Sequence, residues 1–331
     1  MAYPAPVTDP LNPSALPDFL NRDRPPVPDL VVPRGIQAFH LADRPVRGRL
    51  VRLGPLADAL ITRHDAPPVV AALAGEALAL VAALAAALKF KGSFSLQARG
   101  DGPVSMLLAD CTDDGALRGY ARADDARLAA LLAETPAPGA DALLGRGYLA
   151  FTCDQGPEMD RYQGIVAIEG ASLAAMTGQY FATSEQLAAA VVLAAAPCPA
   201  GWRAGALVIE RIAGEGGIPP GLDAARQDDA WTTATMLLAT LSADELLDDA
   251  LPPERLLHRL FHAEGLVLDR ARALSFGCRC SRARLAGVLS GFPEEDLDHM
   301  AEEGTITMTC EFCNVAFRFD RAGIRGAAGH G

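Results

Sequence analysis

Cys278-Arg279-Cys280 and Cys310-Glu311-Phe312-Cys313, with 29 residues between them, place four thiols in two tight pairs near the C-terminal end. Four thiolates so spaced suit one Zn²⁺, which takes about four sulfur or nitrogen ligands in a closed tetrahedral site. The second pair has the C-x-x-C spacing common in zinc modules. The first is C-x-C, which is rarer and brings its two sulfurs near enough to be oxidised together. The metal can therefore be a structural staple, a catalyst or a switch.

Working outward, both pairs fall on turns. A helix is expected from Ser281 to Leu289, directly after Cys280, and a second from Pro293 to Glu303, closed by Gly304. Thr305-Ile306-Thr307-Met308-Thr309 alternates into the Cys310 turn, and Val315 to Phe319 returns from it as a hairpin strand. Residues 269–320 are thus read as a small zinc-binding module and 321–331 as a disordered tail. Upstream, residues 221–268 form a helical linker, strongly acidic over 223–269, where ten Asp or Glu face three Arg. Ser242-Ala243-Asp244-Glu245 is a capping box, Pro253 suits a helix first turn, and Gly265 suits a helix stop. Like charge packed this densely leaves a small margin of stability, so the linker is expected to unfold first.

Residues 36–220 carry mixed α and β signals. Alternation predicts strands at Val46–Val51, Lys91–Gln97, Val104–Asp110, Ala116–Arg122, Gly147–Cys153, Gly164–Glu169, Ala190–Ala195 and Ala206–Glu210. Helices are expected at Pro55–His64, Pro68–Leu88, Ser172–Phe181 and Ser184–Leu187. Glycines and prolines at Gly214–Gly217 and Pro219-Pro220 mark the exit. Residues 1–35, with nine prolines from Pro4 to Pro33, read as a disordered or extended arm. The expected fold class is an α+β, mixed α/β core domain, a helical linker and a four-cysteine zinc domain.

Composition narrows the function. Of 331 residues, 50% are apolar and 21% charged, which is globular. The net charge of −12, with Lys only at Lys89 and Lys91, argues against a nucleic-acid partner, which needs a basic face. The apolar run Ala77–Leu88 is too short to span a bilayer, so no membrane association is expected. With no basic-then-apolar leader at the start, the expected compartment is the reducing cytoplasm, where resting cysteines are thiols or metal ligands.

Three features turn the four-cysteine site toward a switch. C-x-C is unusual in purely structural sites. A helix N-terminus and Arg279, Arg282 and Arg284 beside the thiols favour reactive thiolates. The module is also tethered to the weak linker, and metal-binding free energy in such modules is largely folding free energy, roughly 10 kcal/mol or more. Cys111, Cys153 and Cys198 read as buried, unreactive thiols. His258 and His262 share the i, i+4 spacing of zinc hydrolases, but Arg259 stands where those enzymes carry their glutamate, so they read as a linker-helix face. His299 reads as an exposed helix residue. No Ser/His/Asp or Cys/His set suggests an enzyme.

With these residues in view, the chain resembles the 33-kDa redox-regulated chaperonin family of bacteria, the zinc-binding heat-shock holdases, from about Ile36 to Asp320. The resemblance is carried by Leu88-Lys89-Phe90-Lys91-Gly92, Gly100-Asp101-Gly102-Pro103, Arg161-Tyr162-Gln163-Gly164-Ile165-Val166, Ser184-Glu185-Gln186-Leu187 and Gln227-Asp228-Asp229. Cys278-Arg279-Cys280-Ser281-Arg282 and Cys310-Glu311-Phe312-Cys313-Asn314 carry the switch. It implies one Zn²⁺ per chain in the reduced, inactive state, held by Cys278, Cys280, Cys310 and Cys313. It implies that oxidants with heat form the disulfides Cys310–Cys313, first, and Cys278–Cys280, with zinc release and linker unfolding. The oxidised protein would then hold unfolding client proteins without ATP, often as a homodimer. A zinc-ribbon nucleic-acid binder is disfavoured because residues 269–320 hold nine acidic and six basic residues. A zinc enzyme is disfavoured because four cysteines close the shell, and a thiol oxidoreductase would need fast turnover at Cys310 and Cys313.

Overall fold

Val46–Arg52, where alternation is clearest, is β2 of a large mixed sheet that begins earlier than expected, with β1 at Val31–Leu41. The computed structural model describes residues 28–88, 91–156, 159, 161–212 and 224–324. Helices α1 (Pro55–Ile61) and α2 (Pro68–Ala85) precede the meander β3 (Ser93–Gly100), β4 (Val104–Thr112) and β5 (Ala116–Ala123). Then come α3 (Asp125–Glu134), α4 (Ala140–Leu144), β6 (Gly147–Asp154), β7 (Tyr162–Ala167), α5 (Leu173–Tyr180), β8 (Ala189–Cys198) and β9 (Gly201–Arg211). The acidic segment contributes α6 (Ala224–Leu238), α7 (Ala243–Leu247) and α8 (Pro253–Phe261), and then the short strands β10 (Leu266–Leu268) and β11 (Arg272–Phe276). One compact unit runs from Leu30 to Gly277, and the residues from Cys278 onward belong to a second.

The sheet order is β7-β6-β3-β4-β5-β11-β1-β2-β9-β8, with β10 also on β1. Two antiparallel halves are joined by β11. It runs parallel to β5, with Ser275 opposite Ala116, and antiparallel to β1, with Leu274 opposite Val32. Sequence pattern groups Arg272–Phe276 with the cysteine module; the residues it pairs with are more than 150 positions away in the chain, so no local pattern reports them. The same pairing orders Val31–Arg34, which lie inside the segment expected to be an arm. Pro33 falls where the β1–β11 register shifts between Val32 and Ile36, the kind of irregular position that tolerates a residue without an N–H. Residues 1–27 of that arm, and the Gly214–Gly217 exit, lie outside the described residues.

Most expected elements form. Exceptions are α3 and α4, for which the sequence pattern predicts nothing, although Asp124 caps α3 by accepting from the Arg127 N–H at 3.0 Å. Ser184–Leu187, expected as α-helix, instead lies at a π-type turn over Phe181–Glu185 that ends with Gln186 at φ +53°.

Alternation along the strands sorts side chains to two faces. From β9, Ala204, Ala206 and Val208 point to a core sealed by α2, which lies across β2, β3, β4, β5, β8 and β9. Helix α2 is apolar almost all round, and its 18 residues would be long enough to cross a membrane, yet 72% of it is buried inside the protein. From the same strand Leu207 and Ile209 point the other way, with Phe39, Leu41, Val46 and Leu50, to a second core sealed by α6, α7 and α8. Amphipathic α8 buries Leu256, Leu257, Leu260 and Phe261 there and leaves His258 and His262 exposed. Gly48 makes the room: a Cβ on it would stand 2.3 Å from the Phe39 ring, which stacks on Phe261 at 5.3 Å.

Candidate metal centre and the helical cover

The second unit is built around the cysteines. Helix α9 (Arg282–Leu289) starts from Ser281, whose hydroxyl accepts from the Arg284 N–H at 3.2 Å, so Cys280 immediately precedes the cap. Helix α10 (Glu294–Met300) follows, and β12 (Thr305–Thr309) pairs antiparallel with β13 (Ala316–Asp320). Cys310 and Cys313 sit in the turn between these strands. The Cys310 N–H donates to Val315 O at 3.0 Å, the Asn314 N–H donates to Cys310 O at 2.8 Å, and Asn314 takes φ +54° to close the turn. Arg321 bonds to Glu294 and Asp298, and Ile324 is buried, so the first residues of the expected tail are part of the unit. Residues 325–331 lie outside the described residues.

All four sulfurs are buried and lie within 4.8 Å of one another. Cys278 Sγ is 3.3 Å from Cys280 Sγ and 3.7 Å from Cys310 Sγ, and Cys280 Sγ is 3.4 Å from Cys313 Sγ. A tetrahedron of sulfurs about 2.3 Å from a central Zn²⁺ has edges of roughly 3.8 Å, so the donor set and its size fit that ion. The cysteines are free thiols, far from the ~2.05 Å of a disulfide. They share protons unequally. Hydrogen bonding from Cys280 draws the Cys278 thiol down to about 7, and Cys310 is pushed down by bonds from Cys278, Cys280 and Cys313. Cys280 and Cys313 are pushed up, chiefly by the bond to Cys278 in each case. The Arg282 guanidinium lies over the Phe319 ring, 4.6 Å from its centre.

The remaining expectations divide. Cys111 and Cys153 are buried, and burial raises the Cys153 thiol, with help from the Asp154 charge. Cys198 is only half-buried, at the end of β8, which corrects its reading as a buried thiol. His299 is exposed, with its Nδ1 2.6 Å from Glu295 O, and His262 Nδ1 is 2.9 Å from His258 O. Among the described residues neither histidine belongs to a group of three or more metal-ligating side chains, and the His258 and His262 rings stack on each other at 5.1 Å.

The acidic segment is not left to repel itself. The capping box forms, with Ser242 and Glu245 exchanging bonds at 3.2 Å. Arginines from the sheet meet the acids in series: Arg211 with Asp228 at 2.7 Å, Arg44 with Glu264 at 2.9 Å, Arg203 with Asp249, and Arg34 with Glu254. From the end of β2, Arg52 donates to the carbonyls of Glu245 and Leu246 in α7, where the helix dipole favours a cation, and to that of Leu251 in the connection beyond it. Burial draws the Arg52 guanidinium below its ordinary value, against the pull of Asp248 and Asp249. Sequence reasoning missed these residues; the available signal was four arginines on strands and Arg44 in the β1–β2 turn, in a chain that carries one concentrated acidic block.

Comparison with known proteins places these features in a lineage. A family model described as Hsp33 protein matches residues 35–320. A curated 33 kDa chaperonin of Caulobacter vibrioides is 43% identical over 295 residues, covering 87% of this chain and 95% of that protein. One from Pseudomonas paraeruginosa is 37% identical over 290 residues, covering 87% and 92%. The crystal structure of a 33 kDa chaperonin, a heat shock protein 33 homologue from Thermotoga maritima, shares the fold with TM-score 0.70 at 20% identity, over 88% of this chain and 96% of that one.

Proposed function

Because the chain belongs to the Hsp33 family of chaperonins, we propose that it is an ATP-independent holdase and not an enzyme, inactive when reduced and switched on by oxidation of its four clustered cysteines. The observation that carries this reading is the closed set of four buried sulfurs beside a helix cap. Zn²⁺ held by Cys278, Cys280, Cys310 and Cys313 would keep them as thiolates and complete the fold of their unit. That unit has a small apolar core, chiefly Leu289, Leu297, Ile306, Phe317 and Phe319, too few residues to hold about 50 in place unaided.

Oxidation removes the donors. Two peroxide molecules and four protons take four electrons from the four thiolates, giving two disulfides and four waters and leaving no thiolate to bind a cation. The pairing we propose is Cys310–Cys313 followed by Cys278–Cys280. The unit then loses the roughly 10 kcal/mol or more that such sites contribute to folding. Residues 269–277, most of them in β11, are all that separate the linker segment from Cys278, so the chain ties the cover to the metal-bound unit. Release of residues 221–268 would bare Phe39, Leu41, Val46, Leu50, Leu207 and Ile209, a continuous apolar face of the kind that takes up unfolded client chains and a second copy of the protein. A thiol switch of this kind works from the reducing cytoplasm, where the resting state is the metal-bound one.

The test is peroxide treatment at raised temperature, with zinc release followed by a chromogenic chelator and aggregation of a heat-denatured client followed by light scattering without ATP. Metal loss should accompany suppression of aggregation. Metal loss with suppression no better than that of the reduced protein contradicts the reading.

A further inference from the structure

The segments Arg161–Val166 and Ser184–Leu187 meet on the α2 side of the sheet, away from the cysteines in the chain and unused by the switch. A pocket of about 120 Å³ lies there, lined by Tyr162, Tyr180, Phe181, Phe94, Glu185 and Arg47. Three unusual backbone features build it. The π-type turn Phe181–Glu185 and the left-handed Gln186 turn the Glu185 carboxylate back toward β7. Gly164 on β7 gives the Tyr180 ring its place, since a Cβ there would stand 2.3 Å from it. Tyr180 stacks on Phe151 at 4.3 Å and is 4% exposed, so its hydroxyl is held by packing.

Charge decides what such a pocket takes. Glu210 at its edge engages Arg47, the cation of the lining, at 2.9 Å, and also pairs with buried Arg49 at 2.8 Å. Glu185 is not neutralised. Both phenols, Tyr162 at 2.7 Å and Tyr180, donate to its Oε1, and among the described residues it has no cationic partner. The two phenols hold their protons, because their bonds to Glu185 and, for Tyr180, burial above all raise them. They therefore orient the carboxylate without cancelling its charge. Aromatic faces beside a carboxylate in a largely apolar pocket attract an organic cation. A cavity of about 150 Å³ holds one benzene, so this one admits a single group of that order.

We infer that the pocket is a binding site for an ammonium or guanidinium on a short apolar stem, with Glu185 as its counter-charge and Tyr162 and Tyr180 as its walls. The cation can come from a free amine or guanidine or from a basic side chain of a bound polypeptide. The site belongs to the reduced protein and does not depend on the thiol switch.

Titration calorimetry on the reduced, zinc-loaded full chain tests this with butylguanidinium, neutral butylurea and anionic pentanoate. Saturable binding is expected for the guanidinium at millimolar concentrations, with the urea about tenfold weaker and the anion silent, as loss of one charge-assisted bond implies. Glu185→Gln should weaken the guanidinium about tenfold, and Tyr162→Phe should weaken it several-fold with melting temperature unchanged should the first variant misfold. A blocked Ala-Leu-Arg-Leu-Ala peptide, compared with its citrulline analogue, separates the sources: tighter binding of the arginine peptide than of butylguanidinium marks a polypeptide side chain, and weaker binding marks a free solute. Equal binding of all three small probes, no saturable binding, or a folded Glu185→Gln protein that binds as the wild type does, overturns the assignment.

Discussion

The two faces of β9 are covered in opposite ways. Ala204, Ala206 and Val208 lie under α2, one continuous 18-residue helix that buries thirteen of its residues and carries a single charge, Glu76. Leu207 and Ile209, their neighbours in the strand, lie under three helices of 15, 5 and 9 residues joined by turns, pinned at intervals by arginines. A continuous apolar helix comes off only with the fold. A segmented cover, held by exposed ion pairs worth about 0–1 kcal/mol each and hydrogen bonds to a guanidinium worth about 1.5–3, can leave while the sheet stays. On the proposed function, the same strand supports a permanent core on one side and a releasable one on the other.

The largest effect expected to break or sharpen this contrast lies outside both faces. Cys310→Ser removes one of four ligands and should cost most of the roughly 10 kcal/mol that the metal supplies to its unit, read as a sharp drop in zinc affinity. Circular dichroism should show residues 46–211 still folded; loss of their signal would mean that the sheet depends on the metal after all. Next come matched truncations. Leu80→Ala within α2 should lower global stability by about 2–5 kcal/mol and leave the reduced protein inactive. Phe261→Ala, which removes the ring stacked on Phe39, should cost a comparable 3–5 kcal/mol locally and give client binding without oxidant. If the two variants behave alike in melting and in client binding, the distinction between the faces is wrong.

Much of this was legible in the sequence because its cues are local. The cysteine spacing, the capping box at Ser242 and the alternation at Val46–Arg52 each lie within one turn or one strand. What stayed hidden is non-local. Leu274 finds Val32 and Ser275 finds Ala116 only after the chain has closed on itself. The acidic block reads as self-repelling until Arg34, Arg203 and Arg211 from strands and Arg44 from the β1–β2 turn meet it. Glu185 reads as part of a helix until a π-type turn aims it at Tyr162.

Smaller effects sharpen the contrast further. Partly buried Glu76 is raised by desolvation from 4.5 to about 7. The folded state holds this proton more tightly, so the carboxyl weakens the fold as pH climbs from about 4.5 through 7 and is nearly neutral in effect below that window. Glu76→Gln should therefore stabilise by roughly 2–3 kcal/mol at pH 8 and hardly at all at pH 4.5; equal gains at both values would refute the desolvation account. The smallest change is Arg52→Ala, which should loosen α7 by about 2 kcal/mol and speed amide exchange over residues 243–251 without altering exchange in α2. Unchanged exchange over 243–251 would show that the arginines do not hold the cover.

Hydrogen exchange on the full chain, zinc-loaded and reduced against peroxide-oxidised at one temperature, tests the coupling of thiols to cover most directly. Amides of residues 224–268 should exchange at least about tenfold faster after oxidation, while those of α2 stay protected, since release of the cover leaves the other face closed. Equal protection of residues 224–268 in the two states, or loss of protection in α2 to the same degree, would contradict the releasable-cover account.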